Sequence, residues 1–178
     1  MRLIITGNPG TGKTQVAQWL AKKLNYPLVS LTKFILSKKL YEQRGTQREV
    51  ALGKLRKVLL PLIRKNPHLI LEGHLACEIK LPVDYVVVLR CRPSILRKRL
   101  ISRKYKKKKL EENLLAEMLD YAAQQTEQNY PCPVLEIETV HRSLAQTGQK
   151  ILEAIRLKKQ KLEAISYKQE LLKALGLK

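Results

Sequence analysis

Gly7-Asn8-Pro9-Gly10-Thr11-Gly12-Lys13-Thr14 fits the pattern G-x-x-x-x-G-K-[ST] at every position. These residue types are the ones that hold a polyphosphate. Glycines at 7, 10 and 12 let the backbone wrap a phosphate with no side chain in the way. Lys13 supplies a point charge for the outer phosphates, and the Thr14 hydroxyl supplies a ligand for a magnesium ion. The plainer alternative is a glycine-rich turn that only joins two elements.

Two further groups have the right chemistry. Glu72 and His74 follow an apolar run, and in an open α/β sheet ligands lie at the carboxyl ends of the strands. Glu72 could hold magnesium through water or orient an attacking group; it could equally cap a helix or form a salt bridge. His74 could position the attacking oxygen, accept its proton, or fill a hydrogen-bonding niche. The third group is Arg97-Lys98-Arg99-Leu100-Ile101-Ser102-Arg103-Lys104-Tyr105. Arg99 and Arg103 are four apart, so they share one helix face and are both expected to reach a nucleotide. Cations that close over a transferring phosphoryl group stabilise its spreading charge. A solvated basic face is the alternative, above all for Lys106 to Lys109.

The elements that must position these groups alternate between strand and helix, which predicts an α/β layered fold with a parallel sheet. A strand at Arg2–Thr6 precedes the glycine-rich loop, and helical periodicity from Gln15 to Leu24 follows it. Such a strand–loop–helix unit aims several backbone N–H groups and a helix dipole at one point. Further strands are predicted at Pro27–Ser30, His68–Leu71, Tyr85–Leu89 and Val134–Ile137, with Cys91 read as part of the apolar strand before it. The Val-rich run at Tyr85–Leu89 is typical of a strand covered on both faces. Helices are predicted at Thr32 to Tyr41, Ser94 to Arg103, Leu110 to Gln128 and Leu144 to Ile155. An amphipathic helix carries Val50, Leu55, Val58, Leu59 and Leu62, with Pro61 and Pro67 marking its end. The tail from Arg156 continues helical spacing through Leu162, Ile165, Leu172 and Leu175. Between elements lie a polar break, Glu42–Gln47 around Gly45, and a basic hinge, Lys104–Lys109.

A chain of 178 residues, 44% of them hydrophobic, is most simply one domain with a full core. Three cysteines (Cys77, Cys91, Cys132) have no metal-ligand spacing and read as reduced thiols, which suits a cytoplasmic, reducing compartment. No signal peptide or membrane-spanning stretch is visible, and a monomer with no membrane partner is expected. The charge is extreme: 35 Lys and Arg against 15 Asp and Glu, a net +20. Such a field attracts polyanions, with RNA the first candidate; a solubility role is the alternative.

Taken together, the phosphate loop, Glu72-Gly73-His74, Arg99 to Tyr105, and Lys108-Lys109-Leu110-Glu111-Glu112-Asn113-Leu114-Leu115-Ala116-Glu117 resemble the isoenzyme-six branch of the adenylate kinases. The resemblance runs from about Met1 to Gln149. It implies a three-layer P-loop kinase fold with a five-stranded parallel sheet flanked by helices. It also implies an acceptor-binding region near 29–53, a short lid near 102–112, and a basic C-terminal helical extension over 156–178. It implies ATP and magnesium as cofactors, phosphoryl transfer to a nucleoside monophosphate such as AMP, and ATP hydrolysis. The family acts late in maturation of the small ribosomal subunit, binding its universal eleventh protein transiently, beside rRNA. Gly10, Thr11, Gly12, Lys13, Thr14 and Gln15 match the ATP-binding loop; Arg99, Arg103 and Arg142 match nucleotide-approaching cations; His74 matches the family histidine. Glu72 stands where the family has an aspartate, with Thr14 the magnesium pair; Lys13, Glu72, His74 and Arg103 are the implied catalytic set. In the acceptor region Lys33 replaces a family aspartate, and a basic run includes Arg44, Arg48 and Arg56. A metabolic kinase, a kinase of another small acceptor, and a nucleotide-gated binding protein with vestigial catalysis are the competing readings.

Overall fold

A computed structural model describes residues 1–44, 47–161 and 163–177, with the backbone alone for residues 44, 47 and 48. Gly45 and Leu162, and the side chains of Arg44 and Arg48, lie outside the described residues.

The main sheet is built from β1 (Arg2–Thr6), β2 (Leu28–Ser30), β5 (Leu69–Glu72), β6 (Tyr85–Arg90) and β7 (Val134–Glu138). All pairings are parallel and the order is β2-β5-β1-β6-β7. The strand that feeds the glycine-rich loop is therefore central. Alternate residues face opposite layers, as the strand period requires. Ile4, Leu71 and Val86 join a core with Leu55, Leu59 and Ile63 of α3 (Leu52–Lys65). Leu3, Ile5, Ile70 and Val87 join the other core, with Val16 and Leu20 of α1 (Lys13–Leu24) and Ile151 of α7 (Leu144–Arg156). Both faces are covered, so Val86, Val87, Val88 and Leu89 can all be apolar and fully buried. This is the α/β layered fold that the alternation predicts, in the three-layer, five-stranded form that the resemblance implies.

Several elements depart from the sequence expectation, each for a physical reason. The polar break holds a small antiparallel hairpin, β3 (Glu42–Arg44) with β4 (Gln47–Glu49). Helix α2 (Leu31–Ser37) stops short of Tyr41, and Lys39 turns the chain with φ 51°. Pro61 lies inside α3 rather than ending it. A mid-helix proline costs about 3 kcal/mol. Burying Leu55, Leu59 and Ile63 at about 2 kcal/mol each outweighs that.

The long helix expected from Leu110 to Gln128 is two: α5 (Lys107–Met118) and α6 (Tyr121–Asn129). The break is at Asp120, which adopts a left-handed φ of 54° and gives its carboxylate to Arg90. With α4 (Pro93–Ser102) and α5 so placed, Lys107–Lys109 are helical and the hinge shrinks to residues 103–106. The tail is not a continuous helix either. Chain direction changes at Lys158 (φ 50°), and α8 (Lys168–Ala174) is a separate short helix. Glu163 and Tyr167 hold the intervening segment against β7 and α7, as described below. Cys91 follows β6 rather than lying in it, and all three cysteines are free. Burial pushes the Cys77 and Cys91 thiols up to about 11, so both stay protonated. No described helix is long and apolar enough to cross a membrane.

Candidate functional site

The glycine-rich loop runs from β1 to the start of α1 at the carboxyl edge of the sheet. Gly7 has φ +129°, and a Cβ there would lie 2.3 Å from the Leu89 carbonyl oxygen. No other residue fits so close to the neighbouring strand in that conformation. The Asn8 carbonyl closes the loop by accepting from Thr11 N (3.3 Å), Thr11 Oγ1 (2.9 Å) and Lys13 Nζ (2.9 Å). Helix α1 opens at Lys13, so its unpaired N–H groups and dipole face the loop's hollow. Desolvation pulls the Lys13 ammonium down to about 8, against the Glu72 and Glu117 carboxylates, which raise it.

Glu72 ends β5 and is 5% exposed. Its Oε1 accepts from Ser30 Oγ at 2.6 Å and its Oε2 from Thr14 Oγ1 at 3.4 Å. The two residues expected to hold magnesium therefore touch. A hydroxyl and a carboxylate are hard oxygen donors, and magnesium takes few protein ligands when phosphates supply the rest. The donor set fits that ion. Among the described residues no cluster of three or more His, Cys, Asp or Glu offers an all-protein metal cage.

After Glu72 the chain passes Gly73, where a Cβ would sit 2.7 Å from Leu31 Cβ, into a 3-10 turn at His74–Glu78. Thr6 Oγ1 donates to the Gly73 carbonyl at 3.0 Å, fixing this turn to β1. Burial first, and then the Lys13 and Lys109 ammonium groups, push the His74 imidazole down to about 4. A neutral imidazole of such low basicity is suited to orienting an attacking oxygen rather than keeping its proton.

Lys13, Thr14, Glu72 and His74 converge on one cleft of about 670 Å³, which Arg103 and Lys109 also line. Arg99 does not share it. Its Nη1 reaches the Gly10 carbonyl at 3.2 Å, and it lines a separate hollow of about 100 Å³ with Thr139 and Arg142. Arg103 follows the last residue of α4, and the two arginines line two hollows that share Gly12 and Gln15. Arg142 flanks the smaller hollow, but its guanidinium is held by the Glu138 carbonyl (2.8 Å) and by Glu163 of the tail (2.9 Å). Lys33 lines the larger cleft. Arg56 lines neither; its Nε donates to the Lys80 carbonyl at 2.8 Å.

One cluster escaped the sequence reading. Arg90, at the end of β6, is 1% exposed. Its guanidinium meets Glu117 Oε1 (2.9 Å), Glu136 Oε2 (2.7 Å) and Asp120, and stacks over the Tyr167 ring at 5.1 Å. Burial alone would lower its pKa, but Glu117, Asp120 and Glu136 hold it above the ordinary arginine range. An arginine closing an otherwise apolar, two-sided strand was the available signal: such a charge needs buried partners.

Parallel order, loop and cleft define the class as a P-loop kinase fold. A family described as an AAA domain matches residues 3–120. Among solved structures, shikimate kinase from Acinetobacter baumannii bound to shikimate matches with a TM-score of 0.66 at 21% identity, over 89% of this chain and 94% of that one. Deoxyadenosine kinase from M. mycoides with bound dATP matches with a TM-score of 0.60 at 16% identity, over 88% of this chain and 100% of that one. These likenesses establish the fold. Sequence relatives go further. A protein of Methanocaldococcus jannaschii named "Putative adenylate kinase" is 33% identical over 94% of this chain and 93% of its own length. A Pyrococcus abyssi protein of the same name is 35% identical over 88% of this chain and 84% of its own. The chain belongs to this archaeal adenylate kinase-like family of P-loop proteins, the one its motifs resemble.

Proposed function

We propose that the protein binds ATP with magnesium in the 670 Å³ cleft, transfers the terminal phosphoryl group to a nucleoside monophosphate, AMP first, and hydrolyses ATP when water replaces the acceptor. One observation carries this reading. A second cavity, of about 760 Å³, meets the first at Thr32, His74 and Lys109. It lies along the 29–53 region, with Ile35, Tyr41 and Val50 among its walls. Two hollows that meet at His74 and Lys109 are what a donor and an acceptor need to meet in line.

The chain's own groups divide the work. The loop N–H groups and Lys13 grip the outer phosphates, and Thr14 with a Glu72 oxygen would hold magnesium. Magnesium, when bound, neutralises charge on the phosphate oxygens. Arg103, from a lid at about 102–112, adds positive charge over the transferring group, while Arg99, Gln15 and Arg142 flank the nucleoside end. Lys33 adds positive charge to the ATP cleft, and neutral His74, on the wall of both hollows, orients the attacking oxygen. Residues 1–178 act as one unit, with the tail as a strap.

The test is turnover of ATP with and without AMP. ADP should form far faster with AMP present, and Lys13→Ala should abolish both rates. Turnover indifferent to every monophosphate removes the kinase reading. Tight ATP binding with no turnover leaves a nucleotide-gated binding protein. A role in small-subunit maturation, with the eleventh ribosomal protein as partner, rests on the family resemblance and on the +20 charge. It requires that ribosomal protein to co-purify and to be released by ATP; no ATP-sensitive association would remove it.

A further inference from the structure

Glu117 lines neither hollow and is fully buried, yet its side chain reaches from α5 to the phosphate loop. Its Oε2 accepts from Asn8 Nδ2 at 2.6 Å; its Oε1 accepts from Arg90 Nε at 2.9 Å and from Cys91 N at 3.0 Å. Arg90 also donates to the Glu117 backbone carbonyl at 3.0 Å, so this residue is gripped at both side chain and main chain. The other end of the link is the loop itself. Asn8 is 7% exposed, and its carbonyl is the acceptor that Thr11 and Lys13 share. Lys109, Asn113 and Glu117 recur every four residues on α5 and so form one stripe along it. The first two face the cleft, and the third sits beneath the loop.

We propose that Glu117 is a positioning residue for the phosphate loop: anchored by Arg90, it holds the Asn8 side chain and ties the loop to α5, which carries Lys109 into the same cleft. It lines no part of the cleft; its contact with the loop is the hydrogen bond to Asn8, and its charge also favours the Lys13 ammonium. The loop's shape and the seating of α5 are then one variable. A carboxylate is the right group here because three donors converge on its two oxygens, which an amide cannot accept without turning an N–H₂ toward Asn8.

The inference rests on the ATP-binding reading of the cleft, so its test has one readout that needs no nucleotide. The variants are Asn8→Ala, which cuts the link and leaves the Arg90–Glu117 pair, Glu117→Gln, and the two combined. In the unliganded protein, hydrogen exchange of the amides in residues 7–14 should speed up roughly tenfold in Asn8→Ala, while α7 amides stay protected. Mg·ATP affinity should fall roughly ten- to hundredfold in either single variant, the scale of one hydrogen bond to a charged group. The pair should not multiply: the double variant should bind ATP no worse than Glu117→Gln alone, because both break one link. Should Glu117→Gln fail to fold, Asn8→Ala carries the test by itself. Unchanged loop exchange in a folded Asn8→Ala variant overturns the proposal, as do single effects that multiply. If the unmutated protein binds no ATP, the functional reading fails, and the exchange result still decides this one.

Discussion

Replacing Gly148 with alanine should destabilise the protein, although alanine is the better helix former. Gly148 lies buried inside α7, where that helix crosses α1. Propensity alone predicts a gain of about 1 kcal/mol. A Cβ at this position, however, would stand 2.2 Å from Trp19 Cε3, 2.3 Å from Cζ3 and 2.9 Å from Cδ2. Three contacts with a rigid indole cannot be relieved by rotating one bond, so α1 and α7 must part. Overpacking of this kind costs about 1–3 kcal/mol, and the depth of the clash argues for the upper end. The net loss is then about 2 kcal/mol, equivalent to a fall of roughly 4–8 °C in Tm for a chain of this size. Trp19 is the sole tryptophan, so urea unfolding followed by its fluorescence reads the interface directly, with circular dichroism as a second probe. Trp19→Leu in the Gly148→Ala background should restore much of the loss. A Gly148→Ala protein as stable as its parent would refute the reasoning.

Other consequences follow from the charges. Lys13 titrates near 8 and must be protonated to hold phosphates, so kcat/KM for ATP should decline as pH rises through about 8; a flat profile to pH 9.5 counts against it. His74 stays neutral down to about 4, so it should add no limb to that profile near 6.5, and an NMR signal assigned to the His74 imidazole titrating there would contradict this. Arg90→Met leaves buried Glu117 without its cation and should cost about 3–5 kcal/mol in denaturant unfolding; a loss under 1 kcal/mol would mean the cluster is not the closed ion network seen here. Glu163→Ala should cost Arg142 and Lys150 their shared carboxylate and loosen the tail, seen as rapid proteolysis between residues 157 and 167; an unchanged cleavage pattern would show that Glu163 does not hold the tail.

What could be read from sequence, and what could not, divides by distance along the chain. The loop, its strand and its helix are contiguous, and the chemistry of eight residues specifies them. The five strands were legible because burial on two faces demands unbroken apolar runs such as Val86–Leu89. Glu72 and His74 were found because strand ends in a parallel sheet point to one edge. The breaks were not legible, because their causes are remote. Asp120 leaves the helical path for Arg90, 30 residues earlier in the chain. The tail turns because Glu163 reaches Arg142 and Lys150, and Tyr167 donates to Glu138 at 2.9 Å. The β3–β4 hairpin is short and polar, so neither period marks it. Arg99 and Arg103 were read as sharing a helix face toward one nucleotide, but α4 ends before Arg103 and the two line different hollows, which spacing alone does not reveal.

The same remote pairings bear on the net charge. Among the described residues, Glu117, Asp120, Glu136 and Glu163 are bound by three cations, Arg90, Arg142 and Lys150. This inner network is richer in acid than in base, so the cationic excess outside it is greater than the net +20 suggests. Lys104 and Lys106 to Lys109 are exposed beside the cleft, and among them only Lys109 also lines it. Charges so placed act over a Debye length of about 8 Å at physiological salt, enough to reach the cleft's mouth. The excess therefore favours anionic nucleotides and larger polyanions alike, and salt should weaken both. It discriminates between them only through geometry: a nucleotide must also engage the loop amides and Lys13, whereas a polyanion need touch nothing but the lysines. Binding that survives Lys13→Ala but falls steeply with salt belongs to the surface; binding lost with Lys13 belongs to the loop.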